Sequence, residues 1–293
     1  MSGFGIANLP LPPRRYRLHK ISRKEGGASE VFETREAALR EDMKRIRALK
    51  RSARYRPQCS KVNASFDLAK KIESAASKGS LAKSLASARY MRKYRIRVVG
   101  WLWQLSDDDS EFNVRCFTLI SSAWVVPADK LKQFDPDVIL VRLRADLYRC
   151  GAGSANGWLF CGVHGEFDEI HRVYRLHVHG IAAGEMLEVL KQLRRLRKFR
   201  SSPRGGALQA IVPVHINRRP PANISASISY CLQSFWPART YEDWTGSSKR
   251  TRRRRIPEPW HCAYLQWLDQ QTLNSMTLLV GLRATKSGFI PTR

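Results

Sequence analysis

The sequence is poor in cysteine and lacks any long apolar run. Its 293 residues include six cysteines, and no two of them form a Cys-x-x-Cys pair. This spacing excludes a disulfide-dense secreted scaffold and is typical of a reduced, cytosolic protein. No apolar run approaches the roughly 18 residues that a membrane-spanning helix needs. Residues 1–13 do not combine a charged segment with an apolar core, so we expect no signal peptide.

Acidic residues are also scarce relative to basic ones. The chain has 25 Asp and Glu against 52 Lys and Arg, which gives a formal net charge of +27. A hydrophobic fraction of 43% is enough to build a folded core and excludes wholesale disorder. A charge surplus of this size opposes compaction by self-repulsion unless a polyanion offsets it. Because the basic residues are clustered, the sequence predicts nucleic acid as the partner.

The apolar pattern divides the chain into three segments. Residues 1–95 predict a basic, largely helical N-terminal extension. Residues 96–245 mix strand and helix patterns and carry every motif that indicates chemistry. Residues 246–293 predict a basic linker and a C-terminal helix over 260–279. We therefore expect an α+β fold in which helices pack behind a central antiparallel sheet.

Strand-like and helix-like stretches alternate within residues 96–245. The segments that predict strands are 97–103, 114–120, 157–167, 172–181 and 208–216. The segments that predict helices are 185–199 and 223–236, the second stopped by Pro237. The acidic run 107–110 predicts a loop. Residues 168–171 predict a tight connection, so the strands on either side of it should form an antiparallel hairpin.

The most informative motif is His177-Val178-His179 on a predicted strand. Successive side chains of a strand point to opposite faces, so the two histidines share one face. Two neutral imidazoles at this spacing form half of a site for a divalent metal ion. On the preceding strand, His164 and Glu166 share a face by the same alternation. If the hairpin register brings the two faces together, the sequence predicts a site of three or four ligands.

A metal ion held by two histidines and a third ligand can polarise a phosphate oxygen. The reaction then needs a nucleophile, and Tyr230 is the best candidate because it lies on a predicted helix in a basic neighbourhood. The alternative interpretation of Tyr230 is an ordinary core residue of an amphipathic helix. Tyr241 and Tyr264 are the other candidate nucleophiles.

These residues, in this order, resemble a known family. The strand that contains Thr118, the His177-Val178-His179 motif and a downstream tyrosine are similar to the His-hydrophobe-His (HUH) endonucleases, specifically rolling-circle replication initiators. The resemblance covers residues 98–236. In that family a lysine often lies three or four residues after the tyrosine. This sequence departs from the pattern, because Gln233 and Ser234 occupy those positions.

The resemblance implies an HUH domain over 96–245, with an RRM-like palm, that nicks single-stranded DNA and transfers the strand. Tyr230 would form a 5′-phosphotyrosine link. His177 and His179, with Glu166 or His164, would hold Mg²⁺ or Mn²⁺. The implied partners are single-stranded DNA or a DNA hairpin at a plasmid or phage replication origin, and a host helicase. The implied location is the cytoplasm of a prokaryotic or phage-infected cell, with the protein on the nucleoid or plasmid and no membrane partner.

Basic side chains flanking this core are expected to contact DNA phosphates. They are Arg194, Arg195, Arg197, Lys198, Arg200, Arg252, Arg253, Arg254 and Arg255. Trp236, Trp244 and Trp260 are expected either to stack on bases or to pack in the core.

Three alternatives remain open on the sequence. The first is an HUH transposase. The second is a metal-dependent nuclease that activates water. The third is a non-catalytic nucleic-acid-binding protein with a structural metal site, although Cys161 alternates out of phase with His164 and Glu166.

Overall fold

The computed structural model describes residues 5–17, 34–55, 60–108, 113–200, 212–233, 235–239 and 254–292. Its α-helices over these ranges are α1 (Arg35–Tyr55), α2 (Ser60–Ser77), α3 (Ala88–Asp108), α4 (Asp137–Leu147), α5 (Met186–Gln192), α6 (Ile224–Tyr230), α7 (Trp260–Gln270) and α8 (Leu273–Met276). Its strands are β1 (Arg115–Pro127), β2 (Gly157–Asp168), β3 (Val173–Gly184), β4 (Val214–Ile216), β5 (Pro237–Arg239), β6 (Arg254–Arg255), β7 (Thr277–Val280), β8 (Leu282–Thr285) and β9 (Gly288–Pro291). In these ranges no helix has the length and hydropathy required to cross a membrane.

One mixed sheet, with helices packed around it, organises the described residues. Its strands follow the order β4-β1-β3-β2-β5-β6, and β7 also pairs with β2. The β2–β5 pair is parallel and the other described pairs are antiparallel, so the expectation of a purely antiparallel sheet is wrong. The long connection between β3 and β5 explains why β5 runs parallel to β2. After β3 the chain forms α5, β4 and α6 before it reaches β5, so no hairpin forces β5 to run against β2.

The predicted hairpin is present as β2 and β3, and a buried carboxylate fixes its turn. Asp168 is fully buried and accepts hydrogen bonds from Arg175 Nε (3.0 Å) and Nη2 (2.7 Å) and from Nδ1 of His171 (2.8 Å). Burial alone would raise the pKa of Asp168, but these donors outweigh it and hold the pKa below its ordinary value. The resulting register places His164 directly opposite His177.

The strand predicted for residues 97–103 is wrong, because this segment lies inside α3. Met91, Tyr94, Val98, Leu102 and Leu105 recur at helical spacing and are all buried. The β-branched and aromatic residues of this segment favour a strand locally, but the apolar face that they complete has the helical period. The expected boundary between residues 95 and 96 therefore falls within one helix.

Three predicted helices are shorter than the sequence pattern indicates. The helix predicted over 185–199 ends as α5 at Gln192 and continues as two 3₁₀ turns, and the helix predicted over 223–236 ends as α6 at Tyr230. The helix predicted over 260–279 breaks after Gln270, because Thr272 caps a new short helix. Residues 277–280 then pair with β2. Of the strand predicted over 208–216, the structure has β4, while residues 208–211 lie outside the described ranges.

Two acidic groups of α1, the buried Asp42 and the partly buried Glu41, join the N-terminal helices to the rest of the protein. Asp42 accepts hydrogen bonds from the backbone N–H of Ala88 (2.6 Å) and from the Ser87 hydroxyl (2.9 Å), and so caps the start of α3 from a neighbouring helix. Glu41 accepts from Arg45 (3.0 Å) and from both Nη atoms of Arg255 (2.9 and 2.7 Å). The N-terminal segment is thus anchored to the chain that leads into α7.

Glu41 gives this anchor a defined pH dependence. Its burial acts to raise the pKa of the carboxyl group, but the Arg255 hydrogen bonds and the charges of Arg45 and Arg255 dominate and lower the pKa from 4.5 to about 2. The stabilisation is therefore fully present above pH 4.5 and is lost as the pH falls toward 2. We predict that Glu41→Gln lowers the free energy of unfolding by about 2 kcal/mol at neutral pH.

The measurement is urea unfolding of wild type and variant at about pH 7 and about pH 2.5, where the difference between them should shrink. Glu73→Gln is the matched control, because Glu73 pairs with Lys50 on the surface, where ion pairs contribute about 0.5 kcal/mol. A Glu41→Gln deficit that is the same at both pH values would contradict the prediction.

Candidate metal centre and tyrosine

Three histidines converge on one face of the sheet. His164 lies on β2, and His177 and His179 lie on β3, with one ring nitrogen from each within 4.8 Å of the others. His164 is buried and the other two are partly exposed. Cross-strand pairing explains the cluster, because His164 faces His177 directly and His179 lies two residues further on. The described residues therefore include a group that can hold a metal ion.

Hydrogen bonds orient two of these rings for metal binding. Nδ1 of His177 lies 3.3 Å from the carbonyl oxygen of Arg175, and Nδ1 of His179 lies 2.9 Å from Oγ1 of Thr118. Because a carbonyl can only accept, Nδ1 of His177 carries the proton and Nε2 presents its lone pair. If Nδ1 of His179 likewise donates its proton to the Thr118 hydroxyl, then Nε2 of His179 is the atom that can bind a metal ion.

The protonation state of His177 also favours metal binding. Burial lowers the pKa of His177 below its ordinary value, against the opposing influence of the nearby Glu166 carboxylate. The ring is therefore neutral at neutral pH, which is the form that binds metals.

Glu166 shares the face of His164, as its position in β2 predicts, but it lies in an ion pair. Its Oε1 is 2.7 Å from Nη2 of Arg239, and both side chains are largely buried. Its cross-strand partner is Arg175 and not a histidine. Of the two candidates for the third ligand, the structure groups His164 with His177 and His179.

Tyr230 lies directly against the histidines. Its ring centroid is 4.7 Å from that of His179, and 5.7 Å from that of His164, on which it stacks with an interplanar angle of 16°. Tyr264 is instead buried among Trp236 and Trp267, and burial raises its pKa, so this candidate nucleophile has no access to a substrate. Tyr241 lies outside the described residues.

Contacts at both ends of α6 set the position of Tyr230. At the N-terminus, Asn223 accepts a hydrogen bond from the backbone N–H of Ala226 (2.8 Å). At the C-terminus, the carbonyl oxygen of Cys231 lies so close to Gly162 of β2 that a Cβ there would be only 2.3 Å away. The sequence carries no signal that singles out Gly162, since a lone glycine in a strand has several explanations.

A buried arginine supports the same helix. Arg95 of α3 donates from Nη2 to the Ser229 hydroxyl (2.8 Å), and both side chains are buried. No local pattern in the sequence links two residues so far apart. The N-terminal region thus contributes directly to the support of the tyrosine helix.

The predicted DNA-binding arginines and lysine have varied surroundings. Arg194, Arg195, Arg197, Lys198 and Arg200 are all exposed after α5, although Lys198 pairs with Asp146. Arg254 is exposed, whereas Arg255 is partly buried in its contact with Glu41. Arg252 and Arg253 lie outside the described residues.

The three tryptophans considered for base stacking also differ in their surroundings. Trp236 is 1% exposed and packs in the aromatic core, which is the second of the two roles expected for it. Trp260 is partly buried, and Trp244 lies outside the described ranges.

Comparisons with models of protein families, with curated proteins and with solved structures found no match. The chemistry of the site is therefore the feature of this protein that bears on its function.

We predict that His177→Ala weakens Mn²⁺ binding at least tenfold, because it removes one of three converging imidazoles. Titration of Mn²⁺ followed by electron paramagnetic resonance of the free ion measures the affinity. His215→Ala is the matched control, since His215 is exposed and lies outside the cluster. Equal Mn²⁺ affinity in wild type and His177→Ala would refute the metal centre.

We predict that Gly162→Ala lowers the free energy of unfolding by about 1–3 kcal/mol, because the added methyl group would overlap the Cys231 carbonyl and displace α6. Urea unfolding measures the change. Gly153→Ala provides the control, because the nearest atom to its Cβ, on Tyr148, lies at an ordinary contact distance of 3.6 Å. Two alanine variants of equal stability would argue against a tight approach of α6 to β2.

Proposed function

We propose that this protein is a metal-dependent endonuclease of the HUH type that nicks single-stranded DNA and forms a covalent link through Tyr230. The observation that carries the proposal is the contact of the Tyr230 ring with His164 and His179, two of the three clustered histidines. A nucleophile beside a metal centre is the arrangement that phosphoryl transfer needs, since attacking atom and activated phosphate must be adjacent.

The three clustered histidines fit a divalent ion that is bound in part by nitrogen ligands. Three imidazole ligands favour Mn²⁺ over Mg²⁺ on affinity, while the abundance of Mg²⁺ in cells favours that ion. When bound, the ion would polarise a non-bridging oxygen of the phosphate. His164, His177 and His179 would hold it.

The reaction proposed for Tyr230 is a transesterification. Its Oη attacks phosphorus and loses its proton as the new O–P bond forms. The bond from phosphorus to the 3′-oxygen breaks, and that oxygen takes up a proton. The products are a 5′-phosphotyrosine and a free 3′-hydroxyl. Because the phosphodiester bond energy is retained in the adduct, the strand can be rejoined or transferred.

This chemistry suits initiation of rolling-circle replication of a plasmid or phage, which the sequence resemblance implies. The proposed substrate is single-stranded DNA or a hairpin at the origin, with a host helicase as a further partner in the prokaryotic cytoplasm. The net charge of +27 supports a polyanionic substrate. An HUH transposase would use the same residues and the same reaction.

One observation weighs against the non-catalytic alternative. A core tyrosine that only supports the fold would be buried and distant from the histidines. Tyr230 is instead partly exposed and in ring contact with His179.

We predict that wild type, incubated with Mn²⁺ and labelled single-stranded oligonucleotides from the replicon that encodes it, forms a covalent adduct visible on a denaturing protein gel. Tyr230→Phe should abolish the adduct because it removes the attacking oxygen, and His177→Ala should abolish it because it removes a metal ligand. Tyr148→Phe is the matched control, since Tyr148 is 52% exposed and is absent from the ring contacts of the histidine cluster.

The other outcomes identify the alternatives. An adduct that persists in Tyr230→Phe would move the nucleophile to another tyrosine, with Tyr241 the first to replace. Cleavage without an adduct would indicate attack by activated water. If strands are bound but neither cut nor linked, the protein is a nucleic-acid-binding protein with a structural metal site.

A further inference from the structure

Helix α1 carries a stripe of basic side chains on its outer face. The stripe consists of Arg40, Lys44, Arg47, Arg51 and Arg54, and all five are exposed. They follow one another at intervals of four, three, four and three residues. At about 3.6 residues per turn, this spacing keeps them within about 80° of one another around the helix axis and along about 21 Å of its length. We name these five residues the α1 basic stripe.

Little negative charge offsets this stripe within its own helix. Of the acidic residues of α1, Asp42 and Glu41 face the protein, where Asp42 caps α3 and Glu41 pairs with Arg255. Glu36 lies in the first turn, at the N-terminal end of the stripe. In the part of the chain that the structure describes, no ion pair involves a member of the stripe. The outer face of α1 therefore has a surplus of positive charge.

The opposite face of α1 fixes the stripe to the body of the protein. Ile46 and Leu49 are buried in the core. Arg45 is also buried, and its Nη1 donates a hydrogen bond to the carbonyl oxygen of Ala86 (2.7 Å). Because the helix is already anchored, a ligand that binds the stripe does not have to order it.

The burial of this apolar face argues against a membrane surface as the ligand. A helix that lies in a membrane interface inserts its apolar face among the lipids. The apolar face of α1 packs inside the protein, and the large apolar side chains that are exposed among residues 35–54 are Leu39 and Met43. Two side chains near one end of the helix do not form a face that inserts into lipid.

The composition of the stripe favours a nucleic acid duplex over a single strand. Proteins bind single strands with aromatic side chains on which the bases stack, in addition to cations. Residues 35–54 contain no aromatic side chain. A duplex keeps its bases stacked inside and presents one phosphate charge for about every 1.7 Å of its axis. A straight row of cations is therefore sufficient to bind it.

We propose that the α1 basic stripe binds the phosphate backbone of duplex DNA, without regard to its sequence. That the duplex is DNA rests on the proposed function. Helix α1 lies outside residues 98–236, to which the family resemblance extends, and the stripe is separate from the basic segments after α5 and before α7. Helix α1 contacts α3, which in turn contacts α6, so the helix that carries the stripe is linked to the tyrosine helix through α3.

The test measures binding without catalysis. Fluorescence anisotropy of a fluorescein-labelled duplex of about 20 base pairs is recorded in EDTA, so that no metal-dependent step contributes. We predict that Arg47→Gln/Arg51→Gln weakens binding at least tenfold at about 0.1 M salt, because two phosphate contacts are lost. The slope of log affinity against log salt concentration should fall by about 1.8, which is about 0.9 for each contact. Arg47→Lys/Arg51→Lys should bind within about threefold of wild type, because it keeps both charges.

The matched control is Arg142→Gln/Arg144→Gln on α4. Both arginines are exposed, and the control changes the net charge by the same amount as the stripe variant. It should leave duplex affinity within about twofold of wild type. Gln is a good helix former, so both glutamine variants should unfold at the urea midpoint of wild type. If the stripe variant binds the duplex like wild type, or if the α4 control loses as much affinity, the proposal is overturned.

Two other ligands test the choice of a duplex. Wild type and Arg47→Gln/Arg51→Gln are titrated with oligo(dT) of about 20 nucleotides and with vesicles of phosphatidylserine and phosphatidylcholine. The variant should bind both ligands within about threefold of wild type. An equal loss of affinity for oligo(dT) and for the duplex would assign the stripe to single strands. A loss confined to the vesicles would assign it to a membrane surface. Either result would overturn the proposal.

A final comparison separates this proposal from the proposed function. Tyr230→Phe should bind the duplex like wild type, and Arg47→Gln/Arg51→Gln should still form the covalent adduct on a single-stranded oligonucleotide. A protein that forms no adduct but loses duplex affinity with the stripe would retain the binding surface and refute the nuclease. A protein that forms the adduct but binds the duplex equally well without Arg47 and Arg51 would retain the nuclease and refute the stripe.

Discussion

The register between β2 and β3 is the constraint on which the metal centre depends. Strand side chains alternate between faces, so a slip of one residue would turn His164 away from His177. Asp168 opposes such a slip, because it is fully buried at the hairpin end and binds Arg175 across the strands and His171 within the turn. A buried carboxylate that lost these donors would be left uncompensated, which makes other registers costly.

A second constraint brings the tyrosine to the histidines. Helix α6 can lie close to β2 only because Gly162 has no side chain where the Cys231 carbonyl passes. The buried Arg95–Ser229 hydrogen bond holds the helix from its other side. The segment before residue 96 is therefore part of the structure that positions Tyr230, although its basic composition resembles that of an appended nucleic-acid-binding arm.

The distribution of charge follows from the scarcity of acidic residues. Several of the acids that the chain has are buried or half-buried and pair with arginines, as Glu41, Asp168 and Glu166 do. These pairs hold elements together, while the chain as a whole keeps a formal net charge of +27.

The sequence by itself determined the hairpin, the shared face of His177 and His179, and the shared face of His164 and Glu166, because strand alternation is a local rule. It also indicated Tyr230, which a helix does carry.

The tertiary structure decided the rest. It decided that residues 97–103 form part of a helix, that Glu166 pairs with Arg239, and that Tyr264 is enclosed in the aromatic core. It also selected His164 to complete the cluster with the two β3 histidines. Each of these outcomes depends on contacts between residues far apart in the chain. Local periodicity contains no information about such contacts, since burial and partner choice are set only when the elements pack.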